Sequence, residues 1–453
     1  MLRHFFQQKE LEFTWQIFER YGKPDRPWTV EANSTGRVIL TADEDNIKAM
    51  LSSINDFGKG ERFFEMHKEF LGHGIISVDG DAWRASRALL RPHFVKTRRR
   101  DLEAVERRVD ILLPLLDGLV CIDELFGRYT IDVMTDFMFG RSFESLTSPS
   151  ADFMRSFDQV QHTQGLIERT GRLAKFIPRK AFRSGLDELN SVLMSYIDEA
   201  LARHTERIEN PTAEKEEELN FLDSIVVQSQ DKTVLRDQLI TVLLAGRDTA
   251  AVTLTWLFYE LGRRPDVVCK LREEIDSVVG LHPSNSPTRE ELKSMRYLQD
   301  TINETLRLYP SIPTNARFAL RDTTLPRGGG PDGSLPISVP KNTPIVYSTL
   351  ALHRRADLYP PSDQPHHLLF APERWQSWKP RPGTFIPFNA GPRVCIGQQF
   401  AMMEIAYTVV KILQTYDRIQ YCGGEEEMKF QTGFALKPAR RTELRFYKGE
   451  ADE

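Results

Sequence analysis

The chain has 453 residues, of which 40% are hydrophobic, 27% charged and 10% aromatic, which excludes a wholly disordered, collagen-like or disulfide-scaffold protein. Sixty basic residues against 64 acidic ones give a net charge of −4, so no nucleic-acid partner held by bulk positive charge is expected. Four cysteines (Cys121, Cys269, Cys395 and Cys422) form no CxxC pair, suggest no zinc site and fit a reducing compartment.

Met1–Glu10 is polar and carries two Lys/Arg residues, so no secretory signal is expected. Leu11, Phe13, Trp15, Ile17, Phe18 and Tyr21 predict a helix that Gly22 ends. Trp28–Ala32 and Arg37–Thr41 read as strands around the turn Asn33-Ser34-Thr35-Gly36. From Asp43 to about Leu320 the pattern is mostly helical. Asn210–Glu218 is polar and acidic, an exposed loop between helices or a linker.

Asp237–Leu261 is apolar nearly all round and predicts a long helix through the protein interior. The rival reading is a membrane span. Arg247 and Asp248 lie in its middle, and each would cost ~2.5–3.5 kcal/mol at a bilayer centre, which favours the buried helix. No run of 18 apolar, uncharged residues occurs in the chain, so no transmembrane helix is expected.

After Pro326 the texture changes. Gly328-Gly329-Gly330-Pro331-Asp332-Gly333 is turn chemistry between short strands, with Leu335–Val339 and Pro344–Ser348 following. It is no phosphate loop, because no Gly-Lys-Ser/Thr follows. The chain therefore reads as a mainly α protein with a smaller β-rich part.

The strongest chemical signal is Phe388-Asn389-Ala390-Gly391-Pro392-Arg393-Val394-Cys395-Ile396-Gly397. A Gly- and Pro-rich loop delivers Cys395 to the start of a helix beginning near Gln398, whose free N–H groups and dipole favour a thiolate. Gly391 and Gly397 permit close backbone approach to a flat group, and Arg393 can meet an anion. A cysteinate held this way is a haem iron ligand. For a lone cysteine the commoner reading is a buried structural residue.

This loop resembles the haem-binding signature of the cytochrome P-450 family, the haem-thiolate monooxygenases. Three further segments resemble family motifs in the same order along the chain. Glu304-Thr305-Leu306-Arg307 matches Glu-x-x-Arg, and Phe370-Ala371-Pro372-Glu373-Arg374-Trp375 resembles the family's Pro-Glu-Arg segment. The resemblance implies a buried triad of Glu304, Arg307 and Arg374 behind the cysteine loop. Ala245-Gly246-Arg247-Asp248-Thr249 resembles the oxygen-activation motif. It implies a local opening of the long helix at Gly246, with Asp248 and Thr249 relaying protons. Trp83-Arg84-Ala85-Ser86-Arg87 resembles the Trp-x-x-x-Arg helix, which implies that Trp83 and Arg87 face the haem propionates; the resemblance adds Arg317, ten residues after Arg307, and Arg393 as further propionate partners.

The implied fold is the cytochrome P-450 fold. It has haem b buried between a long central helix and the cysteine loop and helix, with Cys395 as the metal ligand. One domain over 1–453 is expected, with a β-rich lobe at about 25–65 and 315–355, a helical lobe at about 66–314 and the haem loop and helix at 385–415.

Arg247, the segment 325–333 and Val346–Arg354 resemble the fungal alkane and fatty-acid hydroxylase subgroup, some relatives of which tailor polyketide chains in secondary metabolism. That implies a lipophilic aliphatic substrate, O2, and electrons from NADPH through a cytochrome P-450 reductase. The basic run Arg84, Arg87, Arg91, Lys96, Arg98, Arg99 and Arg100 suits docking of an acidic reductase or is a solvated charge run. Leu173–Phe182 suits peripheral membrane contact or is an interhelical loop. The cytosolic face of the endoplasmic reticulum is the family's expected place. The membrane anchor usual there is absent from this sequence, so a cytoplasmic protein is the alternative. Segments resembling substrate-contact regions are His67–Ile76, Ser311–Asn315 and Thr432–Leu436. The alternatives in function are a haem-thiolate isomerase or dehydratase, and a non-catalytic haem-binding protein.

Overall fold

The computed structural model describes residues 16–18, 20, 28–33, 36–95, 99–148, 152–210, 219–360, 365–424, 426 and 428–449. Most of the expected N-terminal helix, Ser34 and Thr35 of the first turn, Lys96 and Arg98 of the basic run, and residues 211–218 of the acidic segment lie outside them. The chain divides into two compact units.

The first unit comprises Met1–Phe63, Arg296–Cys395 and Glu426–Arg440. Its main sheet has five strands in the order Thr29–Asn33, Arg37–Thr41, Pro344–Ser348, Thr314–Ala319 and Phe57–Gly58. Thr29–Asn33 and Arg37–Thr41 pair antiparallel, and Arg37–Thr41 runs parallel to Pro344–Ser348 with Ile39 opposite Ile345. Ile39 and Ile345 enter a core with Ile47, Met50, Phe57, Tyr347 and Leu352. Helix Glu44–Ser52 closes that core, and Asp43 caps it by accepting from the N–H groups of Asp45 and Asn46. The glycine run is a hairpin turn between Thr323–Gly329 and Leu335–Val339, with Gly330 and Gly333 at φ of 78° and 75°.

The second unit comprises Phe64–Met295, Ile396–Glu425 and Arg441–Glu453. Its axis is the helix Lys232–Leu261, which is buried along most of its length. The helix starts five residues earlier than its apolar pattern, because Asp231 caps it by accepting from the N–H groups of Thr233 and Val234. Helix Ile122–Phe139 lies against it, with Phe126 and Phe258 rings 5.4 Å apart. Helix Gln398–Thr415 joins them through Phe400, 4.7 Å from the Phe137 ring. Helices Asp152–Thr170 and Lys180–Glu209 pack closely where a Cβ on Gly185 would lie 2.9 Å from a Val160 methyl. Among the described residues three strands, Phe57–Gly58, Gly118–Cys121 and Thr314–Ala319, fall within the region that reads as helical. The first two are too brief to leave an alternating pattern.

The lobe boundary expected near residue 314 falls at Arg296 instead. Helix Arg296–Leu308 belongs with the strands because its Glu304 and Arg307 bind the segment 365–375, as described below. Among the described residues, no helix is long and apolar enough to cross a membrane.

Candidate active site

In the first unit the cysteine loop is braced by local bonds. The Cys395 amide donates to the Phe388 carbonyl at 2.9 Å, and the Val394 amide to Gly391 at 3.0 Å. Asn389 adopts φ of 68°, and its Oδ1 accepts from the buried Tyr347 hydroxyl at 3.0 Å. Gly391 has φ of 71°, and a Cβ there would lie 2.2 Å from the Leu51 carbonyl oxygen. The glycine thus allows close contact with the end of helix Glu44–Ser52. His353 holds the loop's entry. Burial pushes its imidazole down to about 3, so it is neutral, and its Nε2 accepts from the Ile386 amide at 2.9 Å. Phe388 and Arg393 are half-buried, while the Cys395 side chain is exposed.

Behind this loop stand Glu304, Arg307 and Arg374, all buried. Arg307 grips Glu304 through two bonds of 2.7 and 2.8 Å, and Arg374 Nε donates to it at 3.4 Å. The Ala371 amide and Trp375 Nε1 donate to the same carboxylate at 2.9 and 3.0 Å. The two guanidinium groups spend their other donors on the carbonyls of Pro365, His366, His367 and Leu369. The triad is therefore a staple that shapes the irregular segment leading to the cysteine loop.

Arg317 is buried in the strand Thr314–Ala319. Among the described residues its hydrogen bonds go to neutral oxygens, Asn315 Oδ1 at 3.3 Å and the Ala316 carbonyl at 3.0 Å. Lys59 Nζ, also buried, donates to the same Asn315 Oδ1 at 3.2 Å. Sequence reasoning missed Lys59, since a lysine is usually exposed and nothing in Gly58-Lys59-Gly60 signals burial. A buried guanidinium such as that of Arg317, bonded to neutral oxygens, suits an anion. Nearby, the Leu436 amide donates to the Ser311 carbonyl at 3.0 Å, which joins two of the expected substrate-contact segments.

In the second unit the interior of the long helix is accessible at one window. Ala245 is exposed and Gly246 and Thr249 half-buried, while the residues on either side are buried. Ala245 and Thr249 are four apart and share a face. The helix is continuous through this point, so the expected opening at Gly246 is not seen. The glycine is explained by packing: a Cβ there would lie 2.4 Å from Met134 Sδ. The Thr249 hydroxyl donates back to the Ala245 carbonyl at 2.7 Å. Asp248 is buried and turned to helix Asp152–Thr170, where Gln161 Nε2 donates to it. Arg247, also buried, pairs with Asp158 at 2.6 Å. Sequence reasoning did not find Asp158 or Gln161.

Helix Gly80–Val95 carries Trp83 and Arg87, with the guanidinium 5.7 Å from the indole centroid. Part of the basic run is neutralised locally, by Asp81 at Arg84 and by Glu103 at Arg99. The segment His67–Ile76 is pinned to neighbouring helices. His67 meets Glu168 at 2.7 Å, and the His73 amide donates to Asp237 at 2.7 Å.

Gly397 is the N-cap of helix Gln398–Thr415. On that helix Glu404 is buried, its Oε1 has no hydrogen-bond partner among the described residues, and burial pushes its carboxyl up to about 8. An unfolded chain releases this proton near pH 4.5, so the folded state loses stability as pH rises from there to about 8. Glu404→Gln removes that loss. Thermal unfolding at pH 5 and pH 8 is expected to show a gain that widens with pH, reaching a few kcal/mol at ~1.4 kcal/mol per pH unit at most. An equal gain at both pH values would show that Glu404 is already ionised.

Comparison with known proteins places this architecture. The family model described as Cytochrome P450 matches residues 2–445. "Cytochrome P450 monooxygenase pvhE" of Talaromyces variabilis is 43% identical over 438 residues, 91% of this chain and 80% of that protein. "Cytochrome P450 52A3-B" of Candida maltosa is 36% identical, over 91% of this chain and 81% of its own. The fold is similar to a crystal structure of a cytochrome P450DA mutant heme domain, with a TM-score of 0.76 at 19% identity, covering 97% of this chain and 92% of that one. The chain belongs to the cytochrome P450 family. It is accordingly a haem-thiolate monooxygenase, an oxidoreductase that takes O2, an organic substrate and electrons from a redox partner. The residues present fit the haem: an exposed thiol at a helix start, buried cations suited to carboxylates, and an open window on an otherwise buried helix.

Proposed function

We propose that this monooxygenase hydroxylates an unactivated C–H bond of an aliphatic chain: an alkane, a fatty acid or a polyketide-type chain. RH, O2, NADPH and H⁺ then give ROH, H2O and NADP⁺. The observation that carries the reading is the window at Ala245, Gly246 and Thr249, which offers an apolar surface and one hydroxyl. Haem, when bound, supplies the activation of dioxygen. Cys395 would ligate its iron, and Trp83, Arg87, Arg317 and Arg393, with Lys59, would hold its carboxylates. Asp248 and Thr249 hold and pass protons at the window. Electrons come from NADPH through a cytochrome P450 reductase at the cytosolic face of the endoplasmic reticulum. Leu173 and Phe176, both exposed and flanked by Lys175 and Lys180, support contact with that membrane.

NADPH consumption with a partner reductase, measured as fatty acids and alkanes are added, tests the substrate class, with products identified by mass spectrometry. An aliphatic panel that neither stimulates consumption nor yields alcohols overturns it. Thr249→Ala tests the proton role. It is expected to bind haem and substrate and consume NADPH, but to divert electrons to hydrogen peroxide. Product per NADPH should fall steeply, since positioned proton transfer is worth ~10²–10⁴ in rate. An unchanged ratio would leave Thr249 a purely structural role, the back-bond to Ala245.

A further inference from the structure

The three-stranded sheet of the second unit runs in the order Gly118–Cys121, Glu443–Tyr447, Arg418–Tyr421, so Arg418–Tyr421 is an edge strand among the described residues. Its antiparallel pairing sets Tyr421 opposite Leu444 and Ile419 opposite Phe446. One residue beyond the strand, the Cys422 amide donates to the Glu443 carbonyl at 2.9 Å. Backbone groups alternate along such a ladder. Gln420 and Arg418 therefore also turn theirs to the partner strand, and Ile419 and Tyr421 turn theirs to the open side. The Tyr421 amide is taken there by the Gly262 carbonyl at 2.8 Å. The Ile419 N–H and C=O are left facing a cleft that Ile419 itself lines.

The opposite wall of that cleft is one face of helix Pro265–Val278. Pro265, Val268, Cys269, Arg272, Glu273 and Asp276 follow one another at steps of three and one, the spacing of a single helix face, and all line it. This wall is fastened at both ends. At one end a Cβ on Gly262 would lie 3.0 Å from the Tyr421 nitrogen, and at the other Arg272 donates to the Leu413 and Tyr416 carbonyls. The result is a preformed cleft of about 320 Å³, the low end for ligand sites, with room for a short chain segment rather than a folded domain. Its charge is lopsided. Glu273, Asp276 and Asp417 stand against two guanidinium groups, and both of these are engaged, Arg272 on the two carbonyls and Arg418 at 3.7 Å from the Tyr447 ring centroid. Asp276 and Asp417 are exposed, and Glu273 accepts from the Cys269 thiol, a weak donor, at 3.5 Å.

We propose that this cleft docks an extended segment of a partner protein, which pairs with the Ile419 backbone as an added strand and sets a Lys or Arg side chain against Glu273, Asp276 and Asp417. An open strand edge beside an apolar floor of Val268, Leu281 and Ile419 takes up extended peptides by strand addition. Main-chain bonds supply the hold, and the carboxylates select a cationic segment over an acidic one. The inference is independent of the proposed function, in which none of these residues has a part.

The test uses the haem-loaded full chain and three blocked peptides: acetyl-Val-Lys-Val-Lys-Val-amide, its Glu-for-Lys counterpart, and the basic peptide with proline at its centre. Cys269 lines the cleft and is exposed, so its rate of alkylation, read by peptide mapping, reports occupancy. At about four times its dissociation constant the basic peptide is expected to slow that rate about fivefold, since only empty sites react. The acidic peptide should leave the rate unchanged, and so should the proline peptide, which lacks an N–H at its centre. In the pair Glu273→Gln with Asp276→Asn, calorimetry should show the basic peptide binding about fivefold more weakly, as loss of two exposed ion pairs predicts. Both side chains are exposed, so the substitutions leave the helix folded. Equal protection by the proline peptide, or by butylamine alone, would show a cation held without strand pairing and overturns the proposal. Protection by the acidic peptide overturns it too, as does an alkylation rate that no peptide changes or an affinity that the paired substitutions leave intact.

Discussion

Cys395→His is expected to fold, to retain haem and to lose hydroxylation completely. The side chain is exposed and its backbone bond to Phe388 does not depend on the sulfur, so the loop should survive the change. What changes is the ligand. A thiolate pushes electron density toward bound oxygen and favours O–O cleavage, whereas neutral imidazole is the ligand of proteins that carry oxygen or electrons. The measurement is the absorption spectrum of the reduced carbon monoxide complex. Wild type should show the red-shifted Soret band of thiolate ligation, and the variant the band of a histidine haem protein. Far-UV circular dichroism checks that the helices are intact. A thiolate-type band in the variant would show that another group ligates the iron.

The cysteine loop was legible because its information is local. Turn residues, a cation and a thiol occur within ten positions, and the helix begins where Gly397 and Gln398 predict. The Glu304–Arg307 pair was legible for the same reason, since residues three apart share a helix face. Strands Arg37–Thr41, Leu335–Val339 and Pro344–Ser348 match their sequence boundaries, because turn chemistry delimits each one. What could not be read depends on distant partners. Lys59 meets Asn315 across 256 positions, and Gln161 meets Asp248 across 87. Neither pairing leaves a periodicity or a motif in the chain. Gly246 is the instructive case. The sequence showed that a glycine in a helix needs a reason, and family resemblance supplied an opening for oxygen. The structure supplies Met134, a neighbour that no local pattern names. The same limit explains the displaced lobe boundary. Helix Arg296–Leu308 has the helical pattern of its predecessors, and only its partners at 365–375 assign it to the strands.

Arg307→Ala is expected to be the most destabilising single change, and Arg99→Ala supplies its control. Both arginines pair with a glutamate on their own helix, Arg307 with Glu304 at 2.7 Å and Arg99 with Glu103 at 2.9 Å. Burial separates them, since the Arg307 side chain is 0% exposed and that of Arg99 93%. For Arg307, burial alone would disfavour the charge. Glu304 outweighs that cost and holds its pKa above the ordinary arginine value. Arg374 holds the same carboxylate by a single bond of 3.4 Å, so it does not replace the two that are lost. Truncation leaves Glu304 with one guanidinium, and it strips the His367 carbonyl of its 2.6 Å donor. Breaking a buried pair in this way costs ~3–5 kcal/mol, a large part of the ~5–15 kcal/mol that holds a typical domain folded. Losing the exposed pair at Arg99 should cost ~1 kcal/mol or less. Urea unfolding of the haem-loaded proteins, followed by circular dichroism, measures both. Haem content should fall in Arg307→Ala, because the segment it staples carries the chain into the cysteine loop. If the two variants unfold at the same urea concentration and retain haem equally, burial confers no special weight on the triad, and the cysteine loop is held by its local bonds alone.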